Sequence, residues 1–209
     1  MTTPIREKMI AQVAAQRDAL RARDPLDLAR RCGVEFRDGA FYIPFYGELY
    51  RVTFPALEAF VAANGKPCGL NRTAMFLYYL QTADGAAAKN TWVAFRDFPG
   101  GMFYHQAYQG YSGDRLAKAI DNRINVFERA AKQLGGMKLD IGDAAFAFEA
   151  LPRVRVAAVY YAGDEDFPAS ANVLFDGAAD HYLPVDALAG VGSALVDRLT
   201  ATESKDDQE

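Results

Sequence analysis

The sequence predicts an α+β fold: one domain in which a mainly antiparallel sheet packs against several helices. Three observations predict it. Runs with strand character come in two blocks, at 34–54 and 144–175, instead of alternating singly with helices as a parallel sheet would require. Within the first block Asp38-Gly39 stands between two apolar runs, a hairpin signal. Stretches with helical periodicity lie before, between and after the blocks. A chain of 209 residues suffices for one well-buried core. No linker or shift of composition divides it, so residues 1–200 read as the domain and 201–209 (ATESKDDQE) as a disordered polar tail.

The elements follow in order. Thr3 is placed to cap a first helix with Pro4 at its start, and Ile5, Met9, Val13 and Leu20 share one face. Asp24-Pro25 opens a short second helix that Gly33 closes. Strands follow at 34–37, 40–45 and 48–54, and then an ambiguous stretch at 55–69 with a short helix as its expected form. Leu70–Thr82 is apolar on nearly every side and reads as a buried helix with Asn71 as its cap. A strand at Trp92 leads through Pro99-Gly100-Gly101 into an aromatic segment. From Ser112 or Asp114 a helix is expected to run unbroken to Gly135-Gly136, with Leu116, Ile120, Ile124, Phe127, Ala131 and Leu134 on one stripe. Strands at 144–151, 153–161 and 171–175 precede a last helix from about Val185, in which Gly190 and Gly192 point to close packing.

Composition excludes several functions. Hydrophobic residues make up 51% and charged residues 24%, with a net charge of −4. No Lys/Arg cluster offers the basic surface on which phosphate contacts depend, so nucleic acid is not an expected partner. No apolar run reaches membrane-spanning length and the N-terminal stretch has no apolar core, so no membrane is expected and the cytoplasm is the expected compartment. Cys32 and Cys68 lie far apart and outside any C-x-x-C pattern, so the chain's own thiols build neither a zinc site nor an iron–sulfur cluster.

The densest chemistry lies in Trp92–Tyr111, WVAFRDFPGGMFYHQAYQGY, which holds the sole Trp and one of two His. His105 can offer an imidazole to a metal or a planar cofactor, with Trp92, Tyr104, Tyr108 and Tyr111 as lining. The plain alternative is a histidine bonded to backbone among ordinary core aromatics. Arg72, at the start of the buried helix, is a candidate for an acidic ligand group. Arg96 alternates with apolar neighbours and would need a partner if it pointed inward. Asp164, Glu165, Asp166, Asp176, Asp180 and His181 can hold a cation or act as an acid/base set, although Asp164–Asp166 most simply form a solvated turn. Cys68, just before a helix, can be a reactive thiol.

Three stretches together, MFLYYL with WVAFRDFPGGMFY, GDEDFPASANVLFD, and DHYLP, resemble the family known as domain of unknown function 3786, over about Leu28 to Leu199. Members occur chiefly in anaerobic bacteria and archaea, and some are fused to a cysteine-rich iron–sulfur domain. The resemblance implies a setting in anaerobic redox metabolism, with any cluster supplied by a partner, and carries over no catalytic residue. The expected function is therefore a small-molecule or planar-cofactor binding protein, with haem or a corrinoid as the suspected tetrapyrrole. The alternatives are a metal-dependent or acid/base enzyme using Asp164, Asp176 and His181, and a non-catalytic partner module for an iron–sulfur protein.

Overall fold

The two strand blocks fold into two antiparallel sheets, and helices pack around them to give the expected α+β class. The computed structural model describes residues 3–201, with only the backbone of Thr3. The Thr3 side chain expected as a cap, and the expected tail from 202 onward, lie outside the described residues.

The first sheet is a meander of β1 (Glu35–Arg37), β2 (Ala40–Phe45), β3 (Glu48–Thr53) and β4 (Ala59–Val61). Both of its two-residue turns have positive φ at both positions: 50° and 68° at Asp38-Gly39, 48° and 79° at Tyr46-Gly47. That geometry matches the twist of the strands it joins. The short helix expected within 55–69 is replaced by β4. Leu57 takes a positive φ of 56°, which interrupts any helical run, and Ala59–Val61 then pairs with Tyr50–Val52.

The second sheet has the order β5-β9-β8-β7-β6, with β5 at Trp92–Ala94, β6 at Met137–Leu139, β7 at Ala144–Leu151, β8 at Val154–Tyr161 and β9 at Ser170–Asp176. Its central strands are buried along nearly their whole length. The three-residue edge strand β6 carries no sequence signal of its own. Tyr46 joins the two sheets: its N–H donates to the Ala150 carbonyl (2.9 Å) and its hydroxyl to the Val191 carbonyl (2.9 Å).

The helices are α1 (Thr3–Arg21), α2 (Pro25–Cys32), α3 (Leu70–Thr82), α4 (Gly101–Tyr111), α5 (Gly113–Ile120), α6 (Ile124–Gln133) and α7 (Val185–Ala201). On α1, Val13 and Leu20 are buried as expected, but Ile5 is 55% exposed because the first turns extend past the core. Asp24 caps α2 by accepting from the Leu26 N–H (3.0 Å). α3 has the expected span and is buried on most sides, but its cap position is Gly69, and Asn71 lies exposed inside the first turn. The unbroken helix expected over 112–134 is instead two. Asp121 and Asn122 both take left-handed φ (47° and 61°), a conformation that Asp and Asn tolerate better than most residues. Asn122 is fixed there: its N–H donates to the Tyr160 hydroxyl (2.9 Å) and its Oδ1 accepts from the Gly163 N–H (2.7 Å). The apolar stripe is kept, with Leu116, Ile120, Phe127 and Ala131 all buried.

Candidate functional site

α1, α3 and α7 leave a groove of about 730 Å³ between them. Its floor is apolar: Met9 from α1, Leu70, Ala74 and Met75 from α3, Ala187 and Ala194 from α7. Its polar lining includes Gln12, Arg72, Tyr78, Asp186 and Asp197, the last paired with Arg115. An apolar concavity with a few placed polar groups is the usual form of a small-molecule site.

Arg72 is the chemically distinctive group. It is half-buried in the first turn of α3 and has no ion pair among the described residues. Its guanidinium lies 4.0 Å from the centroid of the Phe45 ring and 5.6 Å from that of Tyr50. Arg198 reaches the same Phe45 ring (5.1 Å) and that of Tyr46 (4.9 Å). A buried phenyl ring therefore carries two cations, which its π-face attracts while they repel each other. Burial first, and the Arg198 charge second, pull the Arg72 guanidinium below its ordinary pKa. An anion at Arg72 would relieve both effects, and the free N–H groups of the first turn of α3 point the same way.

Toward the α7 end, burial raises the phenols of Tyr78 and Tyr111, and the nearby Asp186 charge adds to it. Gly190 opens directly onto the groove, with nothing within 4 Å of where a Cβ would sit. Gly192, on another face of α7, confirms the expected close packing: a Cβ there would collide with the Tyr108 hydroxyl.

Of the residues predicted for the site, only Arg72 lines the groove. The 92–111 stretch does not form one lining, because most of it is helix. Trp92 is half-buried on the edge strand β5, with the Arg155 guanidinium 5.3 Å from its ring. Tyr108 points into the core and stacks on Phe95 (4.1 Å between centroids), and Tyr111 meets it edge-on at 5.7 Å. Tyr104 points outward at 56% exposure. His105 is half-buried on α4 and lines neither this groove nor the second one, of about 540 Å³, where the two sheets meet. Arg96 is exposed in a 3-10 turn, 3.9 Å from Asp97, and not on an apolar face.

The acidic set does not converge either. Asp164 Oδ1 accepts from the N–H groups of Asp166 (2.9 Å) and Phe167 (2.8 Å), which makes the solvated turn. Asp176 is buried and accepts from three backbone N–H groups, of Lys89, Asn90 and Ala178. His181 Nδ1 pairs with Asp84 Oδ2 at 2.7 Å, a partner that sequence reading did not supply. Among the described residues no three His, Cys, Asp or Glu side chains group as metal ligands. Cys32 and Cys68 are both free thiols; burial pushes Cys32 up to about 12 and raises Cys68 as well. Met9, Tyr78 and Asp186 carry little sequence signal as groove residues. Gly190, in mid-helix, was the one available signal.

Fold and groove together define an α+β domain with two antiparallel sheets and a helix-walled concavity lined by Arg72, which has no ion pair among the described residues. A family model described as Domain of unknown function (DUF3786) matches residues 24–198, and the chain belongs to that family. No curated protein and no solved structure matches it. Among the described residues no helix is long and apolar enough to cross a membrane.

Proposed function

We propose that this protein binds a small amphipathic molecule whose anionic group, a carboxylate or its equivalent, meets Arg72 and whose apolar body lies along the groove between α1, α3 and α7. The observation that carries this reading is the Arg72 guanidinium: it is half-buried, without an ion pair among the described residues, and beside a second cation in the wall of a largely apolar concavity. A charge so placed is unfavourable until an anion joins it. An anaerobic redox setting, which is what the family resemblance implies, would make the ligand a cofactor or a precursor of one, and two free thiols would suit a reducing cytoplasm.

Calorimetric titration with decanoate tests the reading. One saturable site is expected. Arg72→Gln should weaken it about tenfold, the worth of a charge-assisted hydrogen bond. Gly190→Leu should abolish it by filling the groove, while the helix itself gains about 1 kcal/mol of propensity. Unsaturable heats, or equal binding by both variants, would overturn the reading. Haem and cobalamin share an apolar body with polar substituents, but His105 stands outside the groove and would not be their axial ligand there. A saturable haem spectrum lost in His105→Ala would move the site to α4. No saturable change would remove the tetrapyrrole.

A further inference from the structure

α4 is a surface helix without a charged residue: no Asp, Glu, Lys or Arg occurs from Phe98 to Gly113. Its inward face is Gly101, His105 and Tyr108, and its outward face is Met102, Phe103, Gln106, Ala107 and Gly110. Phe103 is 90% exposed and Met102 63%, with Tyr104 (56%) and Tyr111 (39%) along one flank. Depletion of charge with enrichment in Met, Phe and Tyr is the composition of an interface centre, not of a solvated helix.

We propose that the chain forms a two-fold homodimer through this outward face, the two α4 helices packing antiparallel about an axis between Gln106 and Ala107. The stripe is complementary to itself. Its bulky side chains lie in the first turn and its small residues one and two turns on, with open space where a Gly110 Cβ would be. Antiparallel pairing seats Phe103 of each copy against Gly110 of the other and lays Tyr104 alongside the second Tyr111. A two-fold contact requires this reciprocity, in which residue i meets j and j meets i.

Charge and area agree with it. Two copies each bearing −4 approach through a face that itself carries no Asp, Glu, Lys or Arg. Just beyond it stand Arg96 and Asp97 at one end and Asp114 and Arg115 at the other, so an antiparallel pair brings one charge of each sign from either copy together at each end, with no net repulsion there. The four exposed side chains leave roughly 500 Å² per copy in water, and their full burial in two copies, about 1,000 Å², meets the minimum for a specific contact and fits a weak, micromolar dimer. A helix lying on a lipid surface would instead flank its apolar face with Lys and Arg, and α4 has none.

Sedimentation equilibrium of the full chain should give twice the monomer mass in the micromolar range. Phe103→Glu should return it to monomer with an unchanged circular dichroism spectrum, since that ring touches water on almost every side. In a Cys68→Ser background, Ala107→Cys should oxidise to a disulfide dimer, whereas Ala14→Cys on the exposed face of α1 should not. A wild type that stays monomeric overturns the proposal, as does a dimer that survives Phe103→Glu. A monomer that binds zwitterionic vesicles, or another protein, through Phe103 overturns it too, because the face then belongs to that occupant.

Discussion

Asp176→Ala should destabilise the fold by about 3–5 kcal/mol, although among the described residues its carboxylate is in no ion pair. The carboxylate is 2% exposed, at the end of β9 opposite Trp92 in the β5–β9 register. Oδ1 accepts from the Lys89 N–H (2.9 Å) and the Ala178 N–H (3.0 Å), and Oδ2 from the Asn90 N–H (2.8 Å). Truncation leaves Ala178 N–H buried and unpaired, a loss of about 1–3 kcal/mol, while the two loop N–H groups regain water at a net loss of about 1 kcal/mol each. Asp176→Asn retains one acceptor oxygen and should lose about half as much. The assay is urea unfolding followed by the fluorescence of Trp92, the sole tryptophan, which sits across the strand pair from the mutated side chain. A variant within about 0.5 kcal/mol of wild type, the usual range of a neutral surface change, would refute the reasoning. The same titration repeated with Mg²⁺ or Mn²⁺ should leave the midpoint in place. A cation-dependent rise would restore Asp176 as a ligand.

Two further outcomes follow from the titratable groups. The His181 contact, and after it the Ala86 N–H, hold the Asp84 carboxyl below its ordinary 3.8. A carboxyl depressed in the fold stabilises above its unfolded pKa and loses that contribution as pH falls through the folded value. His181→Ala should therefore raise the Asp84 pKa toward 3.8, read by carbonyl NMR, and the stability gap to wild type should close in acid; an unmoved Asp84 would show that the pair is incidental. For Cys68, burial outweighs the opposing pull of Arg72 and raises the thiol above its ordinary 9.0. Iodoacetamide at pH 8 should label it more slowly than a small free thiol, and Arg72→Gln should slow it further. Faster labelling would reinstate the reactive-thiol reading.

Local signals were the legible part of the sequence. Hairpin chemistry at Asp38-Gly39, the Asp24 cap, the span of α3 and the start of α7 all rest on residues close in sequence, and each is found. Two expectations failed because tertiary contacts outweighed periodicity. The stripe from Leu116 to Leu134 is real, yet Tyr160 and Gly163 on another part of the chain hold Asn122 out of the helix. Likewise β3 recruits Ala59–Val61, in a stretch whose own sequence is ambiguous, because an unpaired sheet edge offers its backbone partners.

The aromatic ladder of 92–111 shows why a cluster in sequence is a poor guide to a cluster in space. In an extended segment its side chains would alternate between two faces, and one face could line a pocket. As a helix, α4 sends Tyr108 inward against Phe95, and Phe103 outward into water. One composition thus serves a core and a surface at once. The groove shows the converse. Met9, Arg72 and Asp186 come from three helices separated by most of the chain, so no window of sequence contains them together. Only Arg72 could be singled out beforehand, because a cation at the start of an otherwise apolar helix conflicts with its surroundings wherever the rest of the chain folds. Such a conflict marks a site because packing alone leaves it unresolved, whereas aromatics pack well in either setting and so discriminate nothing.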